Sequence, residues 1–154
     1  QLGAQVVSTD DVRRQLHDAR VIAGPAGVLD SGLYTPQNVA AVYDEVLRRA
    51  GEQLAGGVSV ILDGTWRDPR QRQRAHRLAA DTATPIVEFT CVAPLDSASA
   101  RIQSRASTTS DATPEIAVAL AEQDGHPPSG HEIDTSRPLS ESVAEARRLC
   151  GLAV

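Results

Sequence analysis

Three groupings of acidic and arginine side chains carry the chemical potential of this chain. Asp10 and Arg13 stand three apart in STDDVR. In the first turn of a helix that spacing puts both on one face. A carboxylate there can accept a proton from a hydroxyl, and a guanidinium can hold a phosphate or carboxylate through paired bonds. The plainer reading is a helix cap beside an exposed arginine. Asp63 closes the apolar run VSVIL, a place from which an acid can orient Mg²⁺ or its water; an ordinary Asp in a strand-to-helix turn is the alternative. Thr65 and Arg67 follow in the same loop and are positioned to line a substrate pocket, while Trp66 reads as packing. Arg101 and Arg105 lie four apart in RIQSR and run into the polar stretch ASTTSD. Two arginines on such a cover, spanning about residues 101–113, could neutralise charge on a transferring phosphoryl group; a solvated helix face is the competing reading.

These groups need a scaffold that brings strand ends together. AQVVS (4–8) reads as a short buried strand, and Thr9-Asp10-Asp11 as the cap of a helix over Val12–Ala19. VIAGPAGVLDSGLY has Gly and Pro without helical period and reads as a loop. Thr35-Pro36 opens a helix, with Thr as cap and Pro at the first position, and Gly56-Gly57 ends it. VSVIL (58–62) and PIVEFTCV (85–92) read as strands, Asp68-Pro69 starts an arginine-rich helix, and Leu95–Arg105 forms another helix. A helix from Thr113-Pro114 to about Gln123, the strand HEIDT and a helix over Leu139–Leu149 complete the chain. Alternating apolar strands and amphipathic helices predict an α/β domain with a parallel sheet covered on both faces. Ligands bind at the carboxyl ends of such strands, where the groups above collect.

Composition narrows the function further. The chain has 154 residues, with 41% hydrophobic and 23% charged, enough for one globular domain, here expected over 1–154. No apolar run approaches the ~18 residues of a membrane span, and the expected location is the cytoplasm. The net charge of −5 disfavours broad nucleic-acid binding, and one Trp, one Phe and two Tyr disfavour a base-stacking platform. Cys91 and Cys150 read as reduced packing residues, and His126 and His131 lack a third metal ligand. The arginine-rich helix, with His76 exposed within it, reads as a solvated face. The sequence has no Met, so Gln1 is expected not to be a translation start. It also has no Lys, all 15 basic residues being Arg.

The order strand–DxxR, strand–DGT, RxxxR–lid, SDAT and IDTSRP resembles the zeta-toxin-like and polynucleotide-kinase-like P-loop "predicted kinases", an AAA-type ATPase-like group, over nearly all 154 residues. The resemblance implies a P-loop NTPase-like three-layer sandwich that uses ATP and Mg²⁺ to phosphorylate a hydroxyl on a small-molecule or nucleotide-like substrate. It implies Asp10 as base, Arg13 as acceptor clamp and Asp63 beside the metal. Arg101 and Arg105 would reach the ATP phosphates, and Asp134, Thr135 and Arg137 would lie near the nucleotide base. The family opens with a strand and a glycine-rich loop ending in lysine, the Walker A element; Gln1-Leu2-Gly3 looks like the end of the helix after it. The expected chain is therefore a truncated kinase domain that needs a missing N-terminal segment or another chain to complete its sheet. It also resembles the C-terminal half of actinobacterial proteins with an aminoglycoside-phosphotransferase-like N-terminal half. The alternative is a degenerate kinase fold used as an interaction or regulatory module.

Overall fold

Ser8 marks the turn from the first strand to the first helix. Val6 and Val7 are β-branched and favour the extended β1 (Gln5–Ser8). Ser8 stays extended (φ −90°, ψ 134°), and its hydroxyl accepts from the Asp10 N–H at 3.3 Å, starting α1 (Thr9–Asp18). The cap is thus Ser8, just before the expected Thr9-Asp10-Asp11, because the helix already begins at Thr9. Asp10 and Asp11 in the first turn suit the positive end of the helix dipole. A single 3₁₀ turn, Gly32–Tyr34, precedes α2 (Pro36–Ala55). As expected, Thr35 caps α2 by accepting from the Asn38 N–H, with Pro36 next, and Gly56 follows its end. Val42, Tyr43, Val46, Leu47 and Ala50 form its buried stripe. Then come β2 (Val60–Asp63), α3 (Pro69–Asp81) capped by Asp68, β3 (Phe89–Val92) and α4 (Leu95–Ser104). The chain continues with α5 (Pro114–Gln123), β4 (His131–Asp134) and α6 (Leu139–Leu152).

The computed structural model describes residues 3–27, 30–104, 110–123 and 130–152. They divide into two compact units, Gln1–Thr84 with Thr108–Asp111, and Pro85–Ser107 with Ala112–Val154. In the first unit β1 and β2 pair in parallel, Gln5 opposite Val60 through Ser8 opposite Asp63. Val7 joins Val12, Ile22, Leu33, Val42 and Val46 in the core, with Leu62 packed against them. The other face of the pair carries Val6 and Ile61, registered partners that are 61% and 50% exposed. In the second unit β3 and β4 pair in parallel, Phe89 opposite His131 through Val92 opposite Asp134. Ile133 is buried there, and the buried Ser142 hydroxyl donates to the Asp134 carbonyl at 2.9 Å.

Parallel strands separated by helices are as expected; the single sheet covered on both faces is not what the strands form. Among the described residues each strand has one ladder partner, and the sheets are two-stranded. The strands are also shorter than their apolar runs. Val58 N–H still bonds the Gln53 carbonyl, which delays β2 to Val60. Gly130, at φ +73°, sits so close to Glu88 that an added Cβ would lie 2.4 Å from the Glu88 carbonyl oxygen. The ladder itself begins at Phe89 opposite His131, whose N–H donates to the Glu88 carbonyl at 2.9 Å. Cys91, expected to pack, is exposed; both it and Cys150 are free thiols.

Candidate functional site

At the carboxyl end of the first sheet, β1 delivers Asp10 and Arg13 on the first turn of α1, and β2 delivers Asp63. Ser8 and Asp63 are registered neighbours, so both strands end at one level. Gly64 keeps the following loop against α1: a Cβ there would stand 2.6 Å from Thr9 Cγ2. Arg13 Nη1 donates to Asp10 Oδ1 at 2.6 Å. The arginine side chain is 9% exposed and the aspartate side chain 32%, so solvent reaches the carboxylate more than the guanidinium. The guanidinium carbon lies 4.4 Å from the centroid of the Tyr34 ring, a cation–π stack. Arg13 Nε is buried with no hydrogen-bond partner among the described residues. The Tyr34 hydroxyl donates to Asp111 Oδ2 at 3.0 Å. Burial pushes the Tyr34 phenol up to about 12; the Arg13 cation pulls the other way, and the hydrogen bond to Asp111 adds to the rise.

The loop after β2 is built on packing. Trp66 adopts φ +47°, a conformation costly for a bulky side chain. It is held by its N–H donating to the Tyr43 hydroxyl at 3.2 Å and by Arg72 Nη1 donating to its carbonyl at 2.5 Å. The Trp66 and Tyr43 rings meet edge to face, centroids 4.8 Å apart. Trp66 is therefore packing, as its sequence context suggested. Asp63 and Thr65 are exposed on this loop and Arg67 is half-buried. Arg72 Nη1 also bonds the Arg67 carbonyl at 3.0 Å, fixing the loop's exit.

In the second unit Arg101, at the end of α4, donates through Nη2 to the Thr135 carbonyl at 2.5 Å and through Nη1 to Thr135 Oγ1 at 3.3 Å. Thr135 in turn bonds the Val92 carbonyl through its N–H at 2.8 Å and its hydroxyl at 3.0 Å. Asp134 accepts from the Ser136 hydroxyl (2.6 Å) and N–H (2.8 Å), which hold its carboxyl below the usual range. Arg137 pairs with Glu145 and stands 3.9 Å from Asp134. The structure so gathers Arg101, Asp134, Thr135 and Arg137 at the ends of β3 and β4. Arg105, much of the expected lid and His126 lie outside the described residues.

Asp63 suits Mg²⁺ in donor type, an exposed carboxylate at a strand end; this ion takes few protein ligands and relies on phosphates and water for the rest. Among the described residues no three His, Cys, Asp or Glu side chains gather as a metal cage. No lysine exists in the sequence to clamp a phosphate. A cavity of about 250 Å³ beside β1 is lined by Gln5, Ser8, Asp11, Gln15, Arg49 and Glu52 among others. Asp10, Arg13 and Asp63 are not among its lining residues, so it is separate from the strand-end group. Sequence reasoning gave Tyr34 no part and marked Asp111 only as a member of the ASTTSD and SDAT stretches. Tyr34 ends a stretch read as loop, and only the tertiary fold brings it over Arg13; the signal available was an aromatic directly before the Thr35-Pro36 helix start.

The strands and helices define a parallel α/β fold. Residues 1–128 match the AAA domain family, and the chain belongs to it. A gluconokinase from Sinorhizobium meliloti 1021 has a similar fold, with a TM-score of 0.55 at 18% identity, covering 99% of this chain and 95% of that one. Uncharacterized proteins from Mycobacterium tuberculosis strain H37Rv (Rv2004c) and Mycobacterium bovis (Mb2027c) are each 55% identical over 153 residues. The chain spans about a third of the length of these curated relatives: 99% of this chain against 31% of theirs. No described helix is long and apolar enough to cross a membrane.

Proposed function

We propose that this domain serves an ATP-dependent phosphotransferase acting on a hydroxyl of a small-molecule or nucleotide-like acceptor in the cytoplasm. The observation that carries the reading is the pair of parallel strands whose carboxyl ends hold Asp10–Arg13 and Asp63 together. The acceptor hydroxyl meets the solvent-facing side of Asp10, which takes its proton as the oxygen attacks the γ-phosphorus and ADP departs. Arg13 secures the acceptor from beside the base, and Thr65 and Arg67 line its approach. Asp63 would hold Mg²⁺, whose chemistry is to neutralise phosphate charge. Arg101 and Arg105 would counter the charge of the transferring group, with Asp134, Thr135 and Arg137 near the nucleotide base. In the present arrangement Arg101 spends its donors on Thr135, so engaging phosphate means exchanging that contact.

Completion of the fold is part of the proposal. A strand pairing with the second edge of β2, and a helix covering Val6 and Ile61, would satisfy the open ladder and the bare apolar face. A preceding segment with a glycine-rich loop and lysine, or another chain, is the proposed source. With no lysine of their own, these 154 residues by themselves are expected to turn over little ATP.

The test is phosphoryl transfer from ATP by the full-length protein across sugars, sugar acids including gluconate, aminoglycosides, nucleotide sugars and polynucleotide 5′ ends. Asp10→Asn should lower turnover by about 10²–10⁴-fold, the usual contribution of a general base. Undiminished turnover in Asp10→Asn removes Asp10 from the chemistry. The rival reading is a kinase fold retained as an interaction module. Upstream codons lacking a glycine-rich loop with lysine would decide for it.

A further inference from the structure

We infer that Tyr34 is the positioning residue of the Asp10–Arg13 pair, its ring holding the guanidinium and its hydroxyl anchored by Asp111. This deepens the phosphotransferase reading and rests on it for the catalytic consequence, though not for the geometry.

The argument begins with the corner that carries the tyrosine. Gly32 adopts φ +54°, and a Cβ there would meet the Pro25 carbonyl oxygen at 2.1 Å, so only glycine fits. Leu33 is buried in the core, and its N–H donates to that same Pro25 carbonyl at 3.0 Å. The Asn38 side chain, on the first turn of α2, donates to the Gly32 carbonyl at 2.8 Å and the Ala23 carbonyl at 3.0 Å. Tyr34 N–H donates to the Ser31 carbonyl at 2.8 Å. The backbone of Tyr34 is therefore pinned from several sides, and its ring has little freedom to leave Arg13.

Arg13 needs such a support. Its side chain is almost wholly buried, its Nε has no partner among the described residues, and it forms an ion pair with Asp10. A buried guanidinium whose Nε has no hydrogen-bond partner gains from a second favourable surface, which the Tyr34 face supplies. The ring is in turn fixed at its far end by Asp111, 77 residues along the chain. Asp111, Tyr34, Arg13 and Asp10 thus form one line of contacts that ends at the acid's exposed oxygen. A base that must meet an acceptor at hydrogen-bond distance benefits from this fixation.

The experiment compares Tyr34→Leu, Tyr34→Phe and Asp111→Asn in the full-length protein. Tyr34→Leu removes ring and hydroxyl; Tyr34→Phe keeps the ring. The first readout is hydrogen exchange at Arg13 Nε–H by ¹⁵N NMR, which needs no substrate. Exchange should rise about tenfold in Tyr34→Leu, the size of a partly buried cation–π contact. It should rise less in Asp111→Asn and Tyr34→Phe, each of which weakens the hydroxyl anchor but keeps the ring over Arg13. The second readout is turnover: kcat falls in Tyr34→Leu with KM for ATP unchanged, and falls less in Tyr34→Phe, which keeps the ring. Unchanged Arg13 exchange in Tyr34→Leu overturns the inference. If Tyr34→Leu does not fold, equal exchange in Asp111→Asn, Tyr34→Phe and wild type overturns it instead. Faster exchange without phosphotransfer in wild type upholds the positioning role and removes the kinase reading, so the two failures are separable.

Discussion

The two units differ in how they hold their functional side chains. The first holds all but one of the buried hydrophobic residues among those described, and Arg13 is buried there against Tyr34. In the second, Ile133 is the sole buried hydrophobic residue among those described. There Arg101 and Arg137 are exposed, held through backbone carbonyls and surface carboxylates. The first arrangement is rigid and pre-set, which suits aligning a base with an acceptor. The second is made of contacts that water or an anion can replace at small cost, which suits gripping and releasing phosphates.

The contrast can be broken most sharply at the corner beneath Tyr34. Gly32→Ala forces a side chain into a left-handed conformation and onto the Pro25 carbonyl; the loss should be about 3 kcal/mol or more by urea denaturation. Val46→Ala, at a fully buried position of α2, should cost about 2 kcal/mol. Val143→Ala in the second unit, 41% exposed, should change stability by less than about 0.5 kcal/mol. Equal losses at the two valines would erase the distinction between the units. Ser8→Ala removes the cap of α1 and should cost about 1 kcal/mol, with helix signal lost by circular dichroism.

The smallest effect is electrostatic. Arg48 and Arg49 both hydrogen-bond Glu45 and hold its carboxyl down at about 2, against an ordinary 4.5. A carboxyl depressed in the folded state stabilises above its unfolded pKa, and that stabilisation fades as pH falls toward the folded value. Glu45→Gln should therefore melt lower than wild type at neutral pH. The gap should close as pH drops from 4.5 to about 2. A gap independent of pH would show that packing, not charge, sets the effect.

Much of the scaffold was legible in the sequence because local chemistry marked it. Thr35-Pro36, Gly56 and Asp68-Pro69 are found where turn and cap chemistry put them. Asp10 and Arg13 share a face because three-residue spacing on a helix leaves no other outcome. What could not be read depended on partners distant in sequence. Gly130 packs closely on Glu88, the Tyr34 ring covers Arg13, and Asp111 reaches back to Tyr34. None of these has a local pattern. The exposure of Cys91 was missed for the same reason: an apolar run shows that a strand exists, not which of its faces meets a neighbour.

Trp66 gives the strand end an optical handle. As the single indole in the sequence, wedged edge-on against Tyr43 in the turn three residues beyond Asp63, it makes native emission a label-free gauge of that turn. Titrating Mg²⁺ or nucleotide while following its wavelength would read occupancy beside Asp63 directly, with no acceptor in hand.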